Sequence, residues 1–145
     1  MRAVSYTHLD VYKRQHQAAE DIDTFKRRNI RIQFIGDRTL FPDSMYAVCE
    51  KIEKETIHGT ALILSLLLCY GGQQEIVAAT KKIALKVAQG VLHERDITPA
   101  LFAQHLWTGA LPAPDLIIRT GNQQRLSNFF LYQAAYSAVS YTHLT

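Results

Sequence analysis

The 145-residue chain is 48% hydrophobic, enough apolar material for one compact core. Its formal net charge of +3 suits a protein that meets anions but is too small an excess to indicate nucleic acid, which is set aside as a partner. The most apolar run, Ala61 to Tyr70, is shorter than the roughly 20 residues a membrane-crossing helix needs, the N-terminus shows no signal region, and Cys49 and Cys69 form no CxxC pair, so a reduced, cytoplasmic location is expected.

Ala3-Val4-Ser5-Tyr6-Thr7-His8-Leu9 recurs unchanged as Ala138-Val139-Ser140-Tyr141-Thr142-His143-Leu144. Stacked repeats recur at short fixed periods, whereas these copies sit at opposite ends of dissimilar sequence. Residues 1–15 and 138–145 are therefore expected to be non-native, adapter-derived segments around a native stretch at 16–137. The alternative is a pair of matching edge strands, because Val-Ser-Tyr-Thr has strand propensity.

Gln17 to Arg28, polar with Ile22 and Phe25 at helical spacing, reads as the end of an amphipathic helix. Ile30 to Ile35 alternates with period two before Gly36-Asp37, which predicts a strand. Pro42-Asp43-Ser44 opens a helix whose apolar stripe is Met45, Val48, Ile52 and Ile57. Thr60 to Leu68 reads as a strand buried on both faces, of the kind found in parallel sheets. After Gly71-Gly72 a helix follows, with Glu75 near its start, Ile76, Thr80, Ile83, Ala84 and Val87 on one face, and Gly90 at its stop. Thr98-Pro99 caps a short helix through Leu106, Leu116 to Ile118 forms a short strand, and Ser127 begins a helical segment rich in aromatics. Alternating strands and helices predict an α/β fold with a mainly parallel open sheet flanked by helices.

The segment from Pro114 to Gly121, continuing through Arg125, Ser127 and Asn128 to Tyr136, combines a strand end, a loop and an expected helix start. Ligands in open α/β sheets bind beyond the carboxyl ends of strands, and a helix N-terminus attracts anions. Arg119, Arg125 and Ser127 would converge there, and two guanidinium forks beside a hydroxyl form a cradle for a diphosphate. Without further context the competing reading is a solvated loop with a helix cap.

This segment resembles the late motif of the cis-prenyltransferase, or undecaprenyl diphosphate synthase, family. Tyr70-Gly71-Gly72-Gln73-Gln74-Glu75-Ile76 and Ile35-Gly36-Asp37 resemble two further elements of that family at family-like spacing, so the likeness runs from about His16 to Ser137. It implies an α/β fold of that family and condensation of isopentenyl diphosphate onto an allylic prenyl diphosphate with Mg2+ assistance, in a cytoplasmic homodimer in peripheral contact with a membrane. By match, Arg119, Arg125 and Ser127 are the isopentenyl diphosphate ligands, with Gly71, Gly72, Thr120, Gly121 and Asn128 in support. The Gly71-Gly72 pair alone marks a turn as readily as a phosphate site.

Several positions depart from the pattern. Asn122 and Gln123 stand where the family has Gly and Glu, and Cys69 and Gln73 where it has Asn and Arg. No Met-Asp-Gly-Asn-Gly-Arg-Trp segment, which carries the family's magnesium and allylic diphosphate aspartate, occurs in the sequence, and the family's metal-binding Glu position falls on Ala138. The chain is accordingly expected to be a truncated synthase with no metal ligands and little or no turnover, the alternative being a non-catalytic prenyltransferase-like binding partner. His58, His93 and His105 share no metal-ligand spacing, Glu20, Asp21 and Asp23 beside Lys26, Arg27 and Arg28 read as a solvated helix face, and Phe129, Phe130, Tyr132 and Tyr136 read as core or dimer interface.

Overall fold

The computed structural model describes residues 2–4, 22–121 and 123–142. The expected helix turn from Gln17 to Asp21, including Glu20, lies outside the described residues, as do Asn122 and the remainder of the two terminal segments. The chain forms two compact units, Met1–Cys69 and Tyr70–Thr145.

In the first unit, β1 (Arg2–Val4), β2 (Ile30–Ile35) and β3 (Leu62–Leu67) form a parallel sheet in the order β1-β3-β2, with Ile30 opposite Leu62 and Ile35 opposite Leu67. Residues 22–27 (α1) are helical, and α2 (Asp43–Thr56) returns the chain along β2. Alternation along β2 sends Ile32 and Phe34 into a core with Ile22, Phe41, Met45, Cys49 and Ile52. The fourth buried position of α2 is Thr56, while the expected Ile57 lies past the helix end and is half exposed. Thr56 is preferred there because its hydroxyl accepts from the Ile32 N–H at 3.1 Å and donates to the Ile52 carbonyl at 2.8 Å. Glu53 accepts from the Phe34 N–H at 2.7 Å, and Arg38 donates to the Phe34 carbonyl at 3.0 Å and to Glu53 at 2.6 Å. Side chains thus occupy backbone groups of β2 that face away from β3.

Gly36 is obligatory where β2 ends, since its φ is +147° and a Cβ would lie 1.8 Å from the Leu68 carbonyl oxygen. Asp37 then caps the 3-10 turn Arg38–Leu40, accepting from the Thr39 N–H at 3.0 Å. β3 departs from the expectation of burial on both faces: Ile63 is 43% exposed, while Ser65, fully buried, accepts from Gln33 at 2.8 Å.

In the second unit, α3 (Gly72–Ala88) is followed by a 3-10 turn (Glu94–Asp96), α4 (Pro99–His105), β4 (Leu116–Thr120), a 3-10 turn (Gln133–Tyr136) and β5 (Ala138–Thr142). α4 begins as expected, with the Thr98 hydroxyl accepting from the Leu101 N–H and Pro99 at the first position. β4 and β5 pair in parallel, Leu116 opposite Ala138 and Thr120 opposite Thr142. Residues of both heptapeptide copies are therefore in strands; this follows from their β propensity beside an available strand edge and holds for a peptide of either origin. The ladders among the described residues are all parallel, in agreement with the expected α/β class.

Two outcomes follow for the first unit. Thr56→Val leaves the buried Ile32 N–H without an acceptor and is expected to cost about 1–3 kcal/mol, measured as a lower urea midpoint at unchanged m. Burial, reinforced by Glu53 and opposed by Arg38, pushes the Cys49 thiol from 9.0 to about 11. Because the folded state holds this proton more tightly, the associated stability is present below pH 9 and is lost as pH rises towards 11. The urea midpoint of Cys49→Ala should fall less steeply than wild type across that window.

Candidate functional site

β4 delivers Arg119 one residue before its end, followed by Thr120 and Gly121, which adopts a φ of +95°. The chain returns through Arg125 so that Arg119 Nη1 donates to the Ser127 hydroxyl at 2.8 Å and to the Arg125 carbonyl. Arg119 and Ser127 are thus brought together directly, whereas Arg125 joins them through its backbone and projects an exposed side chain. A guanidinium carries five N–H donors and only Nη1 is used in these bonds. Among the described residues neither arginine is paired with a carboxylate. The arrangement can receive a multiply charged, oxygen-rich anion through charge-assisted hydrogen bonds.

The expected helix at Ser127 does not form. Ser127, Asn128 and Phe130 have φ values of 48°, 66° and 48°, and regular structure resumes only with the 3-10 turn at Gln133. Local propensity is overridden by Asn128, whose carbonyl accepts from the Gly72 N–H at 2.7 Å and whose side-chain oxygen accepts from the Gln73 N–H at 2.8 Å. Asn128 therefore caps α3 from 55 residues away in sequence. This also corrects the anticipated role of a helix N-terminus as anion seat: the helix expected after β4 is absent, and two leading amides of α3 are already bonded.

Gly71 and Gly72 serve this contact. A Cβ on Gly71 would lie 2.7 Å from the Asn128 amide nitrogen, and one on Gly72 would lie 2.8 Å from Leu131 Cγ and 3.1 Å from the Leu131 backbone nitrogen. Both glycines permit the close approach of the 128–131 loop.

Four residues outside the expected set, Tyr70, Glu75, Thr108 and Gln133, complete the surroundings. Glu75 is fully buried, although an acid in the first turn of a helix ordinarily faces solvent. Its Oε2 accepts from Tyr70 Oη at 2.6 Å and Gln133 Nε2 at 2.8 Å, and its Oε1 accepts from the Thr108 N–H at 2.8 Å and hydroxyl at 2.7 Å. Burial, then the bond to Glu75, raises the Tyr70 phenol far above its ordinary value and keeps it a donor. Edge-on contacts with Trp107, Phe129 and Phe130, centroids 5.8–6.1 Å apart, enclose the Tyr70 ring. Phe130 is buried within the chain itself, whereas Tyr136 is fully exposed. Because Glu75 takes the buried face, α3 is rotated from the expected stripe: Gly72, Glu75, Ala79 and Ile83 are buried and Thr80 is exposed. Glu75 and its partner Tyr70 lie within the Tyr70-to-Ile76 element, but the other two partners, Thr108 and Gln133, lie 33 and 58 residues away and carry no local signal.

Residues 6–145 match the family model described as putative undecaprenyl diphosphate synthase. The chain belongs to the undecaprenyl diphosphate synthase family of prenyltransferases. It is 39% identical over 127 residues to a ditrans,polycis-undecaprenyl-diphosphate synthase of Xanthomonas campestris, covering 88% of this chain and 49% of that protein. It is 44% identical over 114 residues to an isoprenyl transferase of Geobacillus kaustophilus, covering 79% and 44%. The crystal structure of lavandulyl diphosphate synthase from Lavandula x intermedia superposes with a TM-score of 0.86 at 32% identity, over 94% of this chain and 61% of that one. The chain thus spans about half the length of the curated relatives it matches. Members of this family are prenyl-transferring enzymes.

Gly72→Ala should push the Leu131 backbone away from α3 and cost about 1–3 kcal/mol, since the clash includes main chain. Amide exchange should accelerate at Gln73, whose bond to Asn128 depends on that approach.

Proposed function

We propose that this chain binds isopentenyl diphosphate through the side chains of Arg119 and Arg125 and the hydroxyl of Ser127, as the acceptor site of a cis-prenyltransferase. The observation that carries this reading is the bonding of Arg119 to Ser127 and to the Arg125 carbonyl at the carboxyl end of β4, with other guanidinium donors left for an anion. Gly121 and Asn128 support it by their positive φ values in the loop, Thr120 as the last residue of β4, and Gly71 and Gly72 by admitting Asn128. The names of the relatives and the dimethylallyl diphosphate in the lavandulyl synthase structure agree with prenyl diphosphate substrates.

In the reaction proposed for the family site, the alkene of isopentenyl diphosphate attacks the allylic carbon, the allylic C–O bond breaks to release diphosphate, and the proton lost to form the new double bond passes to the released diphosphate or to solvent. Holding one diphosphate fixed orients the alkene for that attack. Mg2+, implied by the family resemblance, would neutralise the departing diphosphate. The described residues do not fit that ion: they contain no group of three or more His, Cys, Asp or Glu able to hold a metal, and Ala138 stands at the family's Glu position. The reading we favour for the chain is binding of the acceptor diphosphate with little or no turnover of its own.

Exposed Leu116, Ile118 and Tyr136 support self-association as a homodimer. Among the described residues no helix is long and apolar enough to cross a membrane. The location we propose, from the family resemblance, is the cytoplasm with peripheral contact at a membrane surface.

Calorimetric titration with isopentenyl diphosphate tests the binding site. Wild type should bind, and Arg119→Ala should weaken affinity about 10- to 100-fold, the consequence of losing charge-assisted bonds. Equal affinity would refute the assignment. Incorporation of labelled isopentenyl diphosphate into farnesyl diphosphate by the chain alone, with Mg2+, would refute the absence of turnover.

A further inference from the structure

We infer that Glu75 is a positioning residue for this diphosphate site, acting on the 127–133 loop through Gln133 and Thr108; the inference rests on the function proposed for Arg119, Arg125 and Ser127. Glu75 is fully buried, and among the described residues it has no cationic partner. A carboxylate in that setting is tolerated only when hydrogen-bond donors surround it. Four do, from three separate stretches of chain: Tyr70, Thr108 and Gln133. Gln133 Nε2 also donates to the Thr108 hydroxyl, and Gln133 Oε1, although buried, has no partner among the described residues. The carboxylate and the Thr108 hydroxyl thus set the orientation of the Gln133 amide.

Position in the chain turns this network from a fold element into a determinant of the site. The loop between Ser127 and Gln133 includes three non-glycine residues at positive φ, conformations that revert unless neighbours impose them. Asn128 ties it to α3 through its carbonyl on the Gly72 amide and its side-chain oxygen on the Gln73 amide, Gln133 ties it to Glu75, and Tyr132 adds a bond to the Pro99 carbonyl. The Asn128 and Gln133 anchors both end on the first turn of α3, and Ser127 lies directly before the stretch they hold. Releasing the Gln133 anchor lets the loop relax and draws the Ser127 hydroxyl away from Arg119. Trp107, the only tryptophan of the chain, precedes Thr108 and contacts Tyr70 edge-on at 6.1 Å, so its fluorescence reports on the network.

The test compares isopentenyl diphosphate affinity for wild type, Arg119→Ala, Glu75→Gln and Thr108→Val in the 145-residue chain. Each is titrated well below its thermal midpoint and corrected for folded fraction by circular dichroism. Glu75→Gln replaces an acceptor by a donor facing other donors and should weaken binding about tenfold in the folded protein. Thr108→Val should weaken it by a smaller factor, and both should alter Trp107 emission on ligand addition. Wild-type affinity in folded Glu75→Gln, with only the thermal midpoint lowered, overturns the inference. If Glu75→Gln does not fold, Thr108→Val decides, and an unchanged affinity there overturns it equally. Failure of the wild-type chain to bind, or equal binding by Arg119→Ala, instead overturns the diphosphate reading and this inference with it, a pattern distinct from loss at Arg119 with no loss at Glu75.

Discussion

The second unit is organised by the docking of Asn128 on the N-terminus of α3. A helix start presents N–H groups without partners in the helix, and burying them without acceptors is costly. Here the carbonyl and side-chain oxygen of one residue bond two of them, which requires the loop to lie against α3 at backbone distance. The glycine pair follows from that approach, as do the left-handed conformations on either side of Phe129. The placement of Ser127 beside Arg119 follows in turn, because Ser127 is covalently next to the docked residue.

The first unit meets a comparable demand by other means. β2 has β3 on one side, and its other edge carries N–H and C=O groups that would template association with another strand. Thr56 and Glu53, one turn of α2 apart, reach the amides of Ile32 and Phe34, and Arg38 reaches the Phe34 carbonyl. Arg38 in turn binds Glu53, so an acceptor placed for backbone is held by a charged partner, and its guanidinium is pushed above its ordinary value chiefly by that hydrogen bond. Polar residues set into the largely apolar inner face of α2 serve as substitutes for ladder bonds.

Much of the fold was legible because its elements advertise themselves locally. The alternation of β2, the proline and threonine opening α4 and the apolar run of β3 each predicted the element that forms. Failures fall where a distant partner decides. Ser127 onward has a helix-compatible sequence, yet Asn128 bonds α3 instead. Glu75 and Thr56 would be solvent-facing on propensity alone, and they are buried because Thr108, Gln133 and Ile32 arrive with matching groups. Of the candidate site, Arg119, Arg125 and Ser127 could be nominated by residue type and place in the chain, and the glycine pair only by the family resemblance. How they are held could not, since Gln133 and Thr108 bear no mark of a carboxylate 58 and 33 residues away.

The two halves of the proposed chemistry make different physical demands. Holding isopentenyl diphosphate needs fixed positive charge and a rigid loop, and the contacts described for Arg119, Ser127, Asn128 and Glu75 all join residues between Tyr70 and Gln133. Departure of an allylic diphosphate instead needs charge neutralisation that develops with bond breaking, the work of a metal and its carboxylates. A binding subsite built within one compact unit can therefore be formed without the groups that drive ionisation. Its rigidity comes from tertiary anchors on α3 rather than from local helix formation, so affinity for the acceptor diphosphate is coupled to the integrity of a buried carboxylate that never touches the ligand.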